Sequence, residues 1–292
     1  MPYFSRHAII DNCVCQVGKG MHFALKRFEC ALKKFTVKHK QNGYVLKCDI
    51  LKYFPSIPHK QILEILKKHI KDKKILKLME DIIDSFHTDI SYLNKYNILP
   101  LYQNDNMLKT NRGLPIGNQT SQILGMFYLD SVDRYIKEKL KIKIYSRYMD
   151  DFILVHENFE VLKNALCIIK QLTQKLGLSL NSKTQIFPLK NGVTYLGFRY
   201  YVQKNGKVLK FVAKKTISRF KARAKLLNKA YFDGAINNQR VLQSVIAYHG
   251  HLAHGNCYWL ERGLIKKIKV PLKSEIESSK KIKKMFLKVK HS

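Results

Sequence analysis

Tyr145-Ser146-Arg147-Tyr148-Met149-Asp150-Asp151-Phe152-Ile153-Leu154-Val155 carries more structural information than any other stretch of the chain. Apolar and aromatic residues flank a doubled acid, which predicts two short strands around a turn at Met149-Asp150-Asp151. Adjacent carboxylates repel, and placing them beside a core is costly. The chain holds only 21 Asp and Glu against 54 Lys and Arg, so such a pair in an apolar segment is unexpected. A third acid, Asp49, lies near the end of Tyr44-Val45-Leu46-Lys47-Cys48-Asp49-Ile50, a mostly buried strand that follows a turn at Gln41-Asn42-Gly43. A divalent cation would relieve the repulsion. Mg²⁺ takes hard oxygen ligands at about 2.0–2.1 Å, commonly one or two carboxylates plus substrate phosphates. Two such ions about 3.5–4 Å apart stabilise the attacking and leaving oxygens of an in-line phosphoryl displacement. The strand end and the hairpin are expected to bring Asp49 and Asp150 together as that clamp. Turn chemistry alone also accounts for a DD pair or a strand-end Asp.

The rest of the composition narrows the partner. The 292 residues carry a formal charge of +33, with 46% apolar residues. That is enough chain for a sizeable core and too apolar for a disordered protein. A body this basic repels itself unless a polyanion neutralises it, and nucleic acid is the usual one. No apolar run reaches membrane-spanning length, and the start has no signal-peptide pattern, so no membrane partner and a cytoplasmic location are expected. Six cysteines without CxxC spacing read as reduced thiols.

Apolar spacing predicts helices around Ile62–Ile70 and Ile75–Phe86, the second capped by Asp72. Residues 87–112 read as a long loop. Ser121–Leu140 reads as one helix, and Val161–Leu176 as another. Short strands are expected at 178–180, 193–201 and 208–212, then basic helices from 213 to about 229 and from 238 to 252. Strands and helices mix without regular alternation, which favours an antiparallel α+β body with a helical appendage.

In order along the chain, YVLKCDILKYFPSI, GLPIGNQTSQ, YSRYMDDFILV, LGLSLNSKTQI and VTYLGFRYY resemble the successive palm motifs of reverse transcriptases. VIAYHGHLAHGNCYWL is similar to the thumb of the bacterial group II intron and retron-like branch, and GNQTSQ resembles the motif of diversity-generating retroelement enzymes, which copy a template RNA into mutagenised cDNA. The resemblance covers residues 12–266. It implies a right-hand polymerase palm, an antiparallel sheet with helices, plus a basic helical thumb. The implied divisions are a residual fingers segment at 1–43, a palm at 44–202, a thumb at 203–270 and a flexible basic tail at 271–292.

The same resemblance implies roles position by position. Asp49 and Asp150 would bind two Mg²⁺ ions, with Asp151 supporting them and Ile50 lending a backbone carbonyl. Phe54 would lie under the incoming sugar and exclude a 2′-hydroxyl; since Tyr53 adjoins it, one of the two rings must face inward. Gly117 would admit template or nucleotide, with Asn118 and Gln122 near the template–nucleotide pair. Lys183 would be the general acid for pyrophosphate, unless it is simply one of many surface lysines. Tyr195, Leu196, Gly197 and Phe198 would grip the primer, unless they form an ordinary strand with a glycine bulge. Partners would be an RNA template, a DNA or RNA primer, dNTPs and a small basic accessory protein.

Ile116 stands where many reverse transcriptases carry a glutamine. Losing one positioned polar contact weakens discrimination by about 1–3 kcal/mol. In the resembled enzymes an aliphatic residue here accompanies error-prone copying at template adenines, so low fidelity is expected. From Lys204 to Lys225 basic residues are dense, a face suited to phosphates without sequence readout. His249, His251, His254 and Cys257 match no common structural zinc spacing and suit a helix face better.

Only residues 1–48 precede Asp49, and Cys13–Gly20 looks like the last fingers segment, so the earlier fingers motifs are expected to be missing. Arg6, Lys19, Lys26 and Arg27 are then the nearby basic candidates for a triphosphate. Two functions follow: an RNA-directed DNA polymerase, or a truncated or inactive polymerase scaffold that binds RNA or acts in phage defence. A palm-type nucleotide cyclase would share the hairpin but need no basic thumb.

Overall fold

The computed structural model describes residues 2–97 and 110–271. Residues 98–109 of the expected loop and 272–292 of the expected tail lie outside the described residues. In chain order the helices are α1 (Pro2–His7), α2 (Met21–His39), α3 (Tyr53–Ser56), α4 (His59–His69), α5 (Lys73–Asp84), α6 (Ile90–Lys95), α7 (Gln119–Tyr128), α8 (Asp130–Arg134), α9 (Phe159–Lys175), α10 (Lys214–Phe232), α11 (Asn238–Leu252) and α12 (Tyr258–Ile265). The strands are β1 (Tyr44–Asp49), β2 (Ile144–Tyr148), β3 (Asp151–His156), β4 (Gln185–Pro188), β5 (Val193–Tyr195), β6 (Phe198–Val202) and β7 (Val208–Val212). The mixed α+β architecture with antiparallel sheets is the one expected.

The chain divides into two compact units: residues up to Asn191 with Lys204–Gly206, and Gly192–Gln203 with Lys207 onward. The strands at 193–202 thus fall in the same unit as the basic helices.

The first unit is built on a four-stranded antiparallel sheet in the order β2-β3-β1-β4. Alternation sets its faces. Leu46, Cys48, Phe152 and Leu154 join Ile62 and Leu66 of α4 and Leu162, Ala165 and Ile169 of α9 in one core. The α9 residues recur every three or four positions, as a helix facing a sheet requires. The carboxylate of Asp72 accepts from the Lys74 and Ile75 amides at 2.7 and 3.2 Å, the expected cap of α5.

In this unit three local expectations are corrected. Within the expected loop, Asp89 caps the short helix α6 by accepting from the Ser91 amide at 2.6 Å, and Leu93 buries its inner face. The single helix expected at 121–140 begins at Gln119, breaks at Leu129 and ends in one π-helical turn at Tyr135–Lys139. At 178–180 only Leu180 pairs, in an isolated bridge to Ile50.

The second unit holds a three-stranded antiparallel sheet, β5-β6-β7. The strand expected across 193–201 is two strands joined at Leu196-Gly197, with φ +45° and +82°. Positive φ at both central residues is what a tight two-residue hairpin demands. α10 buries Phe220, Ala224 and Leu227, and α11 buries Val241, Leu242 and Val245. All six cysteines are free thiols. Among the described residues no helix is long and apolar enough to cross a membrane.

Candidate active site

β1 and β3 pair so that Asp49 stands directly opposite Asp151. Opposed residues of an antiparallel pair share one face, with their Cβ atoms a few ångströms apart. Asp150 precedes β3 by one residue, in a turn whose Met149 has φ +58°. The sheet register therefore brings three acids together from positions about a hundred residues apart in sequence.

The segment after α9 buttresses Asp49. The Asn181 amide donates to the Asp49 carbonyl at 2.7 Å, and Asn181 Nδ2 donates to Asp49 Oδ2 at 3.0 Å. Beside them, the Leu51 amide donates to the Ser179 carbonyl at 2.9 Å. Ile50 is buried at the bridge with Leu180. On the other side, Lys47 Nζ lies 3.3 Å from Asp151 Oδ2, while Asp151 Oδ1 is buried without a hydrogen-bond partner. Neither Asn181 nor Lys47 stands out in the sequence. Asn181 acquires its role only by pairing across 132 positions, and one lysine among so many carries no signal.

The electrostatics record the crowding. Burial raises the Asp150 pKa, and the Asp49 charge adds to that. Burial also pushes Asp151 up to about 6, with Asp49 and Asp150 contributing and Lys47 opposing. These are hard oxygen donors with acceptor capacity to spare, the chemistry of a divalent-cation site. Among the described residues no three His, Cys, Asp or Glu side chains form a ready-made metal cluster.

The raised Asp151 pKa has a consequence for stability. An unfolded aspartate ionises near pH 4. Between about pH 4 and 6 the native state holds a proton that the unfolded state has released, so stability falls as pH rises through that window and stays lower above it. With 27% of the side chain exposed, solvent screening leaves a loss of about 2 kcal/mol. In EDTA, Asp151→Asn is expected to raise the melting temperature at pH 8 by about 5 °C and to leave it unchanged at pH 4. Calorimetry at the two pH values checks this; an equal difference at both would contradict it.

The remaining expected site residues are distributed as follows. Tyr53 is the inward ring: its hydroxyl donates to the Gly125 carbonyl at 2.5 Å. Phe54 is half-buried, and a Cβ on Gly125 would meet Phe54 Cζ at 3.1 Å, so Gly125 makes room for that ring. Ile116 and Gly117 form an exposed turn ahead of α7, with Ile116 81% exposed. Gly117 has φ +100° with open space where a Cβ would be. Asn118 occupies the α7 N-cap position without a side-chain capping bond, and exposed Gln122 accepts from Cys15 Sγ at 3.7 Å. Lys183 is exposed in the turn after Asn181, whose Oδ1 accepts from the Lys183 amide at 3.1 Å. Of the basic candidates near the N-terminus, Arg27 is tied to Asp11 at 2.7 Å, and Lys19 donates to the Asn12 carbonyl at 3.4 Å.

In the second unit, Tyr195 and Phe198 are fully buried, which leaves the Leu196-Gly197 turn as the accessible part of that segment. His251 packs its ring 4.9 Å from Phe198. His249 contacts Glu261, and Cys257 Sγ accepts from the Val212 amide at 3.3 Å.

A family model for reverse transcriptase (RNA-dependent DNA polymerase) matches residues 7–200. That is most of the chain, and it takes in Asp49, Asp150 and Asp151; the chain belongs to the reverse transcriptase family. A putative COX1/OXI3 intron 2 protein from Saccharomyces cerevisiae is 28% identical over 99 residues, which is 34% of this chain and 10% of that protein. Among solved structures, an apo telomerase from Candida tropicalis truncated from its C-terminal domain is similar, with TM-score 0.46 and 16% identity over 65% of this chain and 39% of that one. A telomerase from Candida albicans in complex with a fragment of telomeric RNA has TM-score 0.47 and 11% identity, covering 99% of this chain and 54% of that one. The chain thus spans a small part of its curated relative and about half or less of these structures.

Proposed function

We propose that the chain is an RNA-directed DNA polymerase that extends a primer 3′-hydroxyl on an RNA template. The observation that carries this is the facing of Asp49 and Asp151 across β1 and β3, with Asp150 in the adjoining turn, inside the region matched by the family. In the reaction the primer 3′-hydroxyl releases its proton to solvent as its oxygen forms a bond to the α-phosphorus of a dNTP, and the bond from that phosphorus to the bridging oxygen of pyrophosphate breaks. Two Mg²⁺ ions, when bound, would neutralise the charge developing on the entering and leaving oxygens. Asp49 and Asp150 would hold them, with the Ile50 carbonyl as a further oxygen and substrate phosphates completing the coordination. Asp151, engaged by Lys47, would set the charge balance around them. Phe54, seated against Gly125, would close the floor under the sugar. Lys183, free to swing from its exposed turn, would deliver the proton that pyrophosphate takes.

Ile116 supports a finer reading, that copying is error-prone in the manner of a diversity-generating retroelement. Its aliphatic side chain is exposed ahead of α7, where it offers shape but no hydrogen bond. Ile116→Gln is expected to lower misincorporation opposite template adenine about tenfold. Deep sequencing of the cDNA measures this; identical error spectra for the two proteins would dispose of it.

Primer extension on poly(rA) with an oligo(dT) primer and Mg²⁺ tests the main proposal. Extension by the wild type, lost in Asp150→Asn, supports it. If both proteins are equally inert yet bind RNA tightly, the chain is a binding scaffold.

A further inference from the structure

One strand residue beside the doubled acid is unusual. Arg147 on β2 is fully buried, two positions before Met149. Its Nε donates to Asp133 Oδ1 at 2.7 Å and its Nη2 to Asp133 Oδ2 at 2.6 Å, a two-pronged pair. Nη2 also donates to the Met126 carbonyl at 2.8 Å. Nη1 reaches forward to the Met149 carbonyl at 2.9 Å. Asp133, on α8, is equally buried and accepts a further bond from the Tyr145 hydroxyl at 2.6 Å. Although burial works against its charge, the carboxylate beside Arg147 outweighs this and keeps it cationic.

A buried ion pair is a poor device for stability, because an apolar pair of similar volume does as well or better. The position of the fourth bond suggests another use. The Met149 carbonyl belongs to the peptide that joins Met149 to Asp150. That peptide follows a residue held in the left-handed region, which a long side chain adopts reluctantly. The planar guanidinium fork can grip a carboxylate and a carbonyl at fixed relative positions; a lysine cannot.

We propose that Arg147 is a positioning residue: anchored on Asp133, it locks the Met149–Asp150 peptide and so aims the Asp150 carboxylate at the site it shares with Asp49. The inference rests on the polymerase proposal. It deepens that proposal by placing part of the metal site's rigidity in a buried pair that touches no substrate. Outer supports of this kind typically govern metal affinity or activity by about 10–100-fold.

Three variants test it: Arg147→Lys, the double variant Arg147→Met/Asp133→Leu, and Asp150→Asn. Mn²⁺ binding is read by electron paramagnetic resonance on complexes with a chain-terminated primer–template and dNTP, where no chemistry occurs. Melting curves establish which proteins fold. Arg147→Lys and the double variant are expected to bind Mn²⁺ about tenfold more weakly and to lose at least tenfold in kcat, with KM for primer–template unchanged. A folded variant of either kind with wild-type Mn²⁺ affinity and kcat overturns the inference. So does loss of folding in both, since a pair that serves the turn leaves the apolar replacement folded. If Asp150→Asn also binds Mn²⁺ like the wild type, the failure lies with the polymerase proposal instead.

Discussion

Replacing Asp150 by asparagine is expected to lower the primer-extension rate about a thousandfold or more while leaving the fold and RNA affinity intact. The substitution is nearly isosteric and removes one negative charge. Asp150 lies in a turn rather than in the sheet ladder, so no backbone pairing depends on its side chain. The native carboxylate is also a burden in the absence of a cation, since burial and Asp49 both raise its pKa. Neutralising it should therefore not destabilise the metal-free protein, and the whole effect should fall on the chemical step. Removing a single preorganised electrostatic contact to a transition state costs about a hundred- to a thousandfold. Losing a carboxylate that holds a divalent ion costs at least that much. Asp49→Asn should behave alike, with some added loss of order around Asn181, whose Nδ2 it engages. Single-turnover extension compared with filter-binding affinity and circular dichroism checks this. A variant that is folded, binds RNA and still extends within tenfold of wild type would remove Asp150 from the reaction.

Affinity for a primer–template duplex is expected to fall steeply with salt. α10 buries Phe220, Ala224 and Leu227 on one face, which leaves Lys214, Lys215, Arg219, Lys221, Arg223 and Lys225 exposed. These cations are spread around the exposed part of the helix, which suits contact with a backbone and not base reading. Each phosphate neutralised lowers log affinity by about 0.7–0.9 per tenfold rise in salt. If about five of them meet phosphates, the slope is near −4 and affinity falls a few hundredfold between 50 and 200 mM salt. Replacing Arg219 and Arg223 together by glutamine should reduce the slope by about 2, equally for different sequences. Fluorescence anisotropy across a salt series measures it. A slope shallower than −1 would show that α10 is a solvated surface with no nucleic-acid role.

Which parts of this were readable in the sequence follows from how local each signal is. The hairpin at 144–156 was legible because apolar alternation, a turn and a doubled acid lie within a dozen residues. So were α9 and α11, whose apolar spacing is uninterrupted, and the Asp72 cap. The pairing of Tyr53 and Phe54 gave one inward ring without saying which; the Gly125 carbonyl, 72 positions away, decides for Tyr53. α2 gives no clear signal in the sequence, because lysines dilute an apolar face formed by Ala24, Leu25, Phe28 and Leu32. Residues 193–201 read as one strand in the sequence, because Leu196 gives no hint of its positive φ. In the site itself, the acids announce themselves by their cost. Their supports do not: Lys47, Asn181 and Arg147 become meaningful only when register and packing set them beside a carboxylate or a turn carbonyl.

The most direct measurement is anomalous diffraction from crystals of the protein with a chain-terminated primer on an RNA template, the matching dNTP and Mn²⁺. Ion peaks are expected within about 2.0–2.3 Å of carboxylate oxygens of both Asp49 and Asp150, with dNTP phosphate oxygens completing the shell. A bound duplex and nucleotide with no ion shared by those two residues would contradict it.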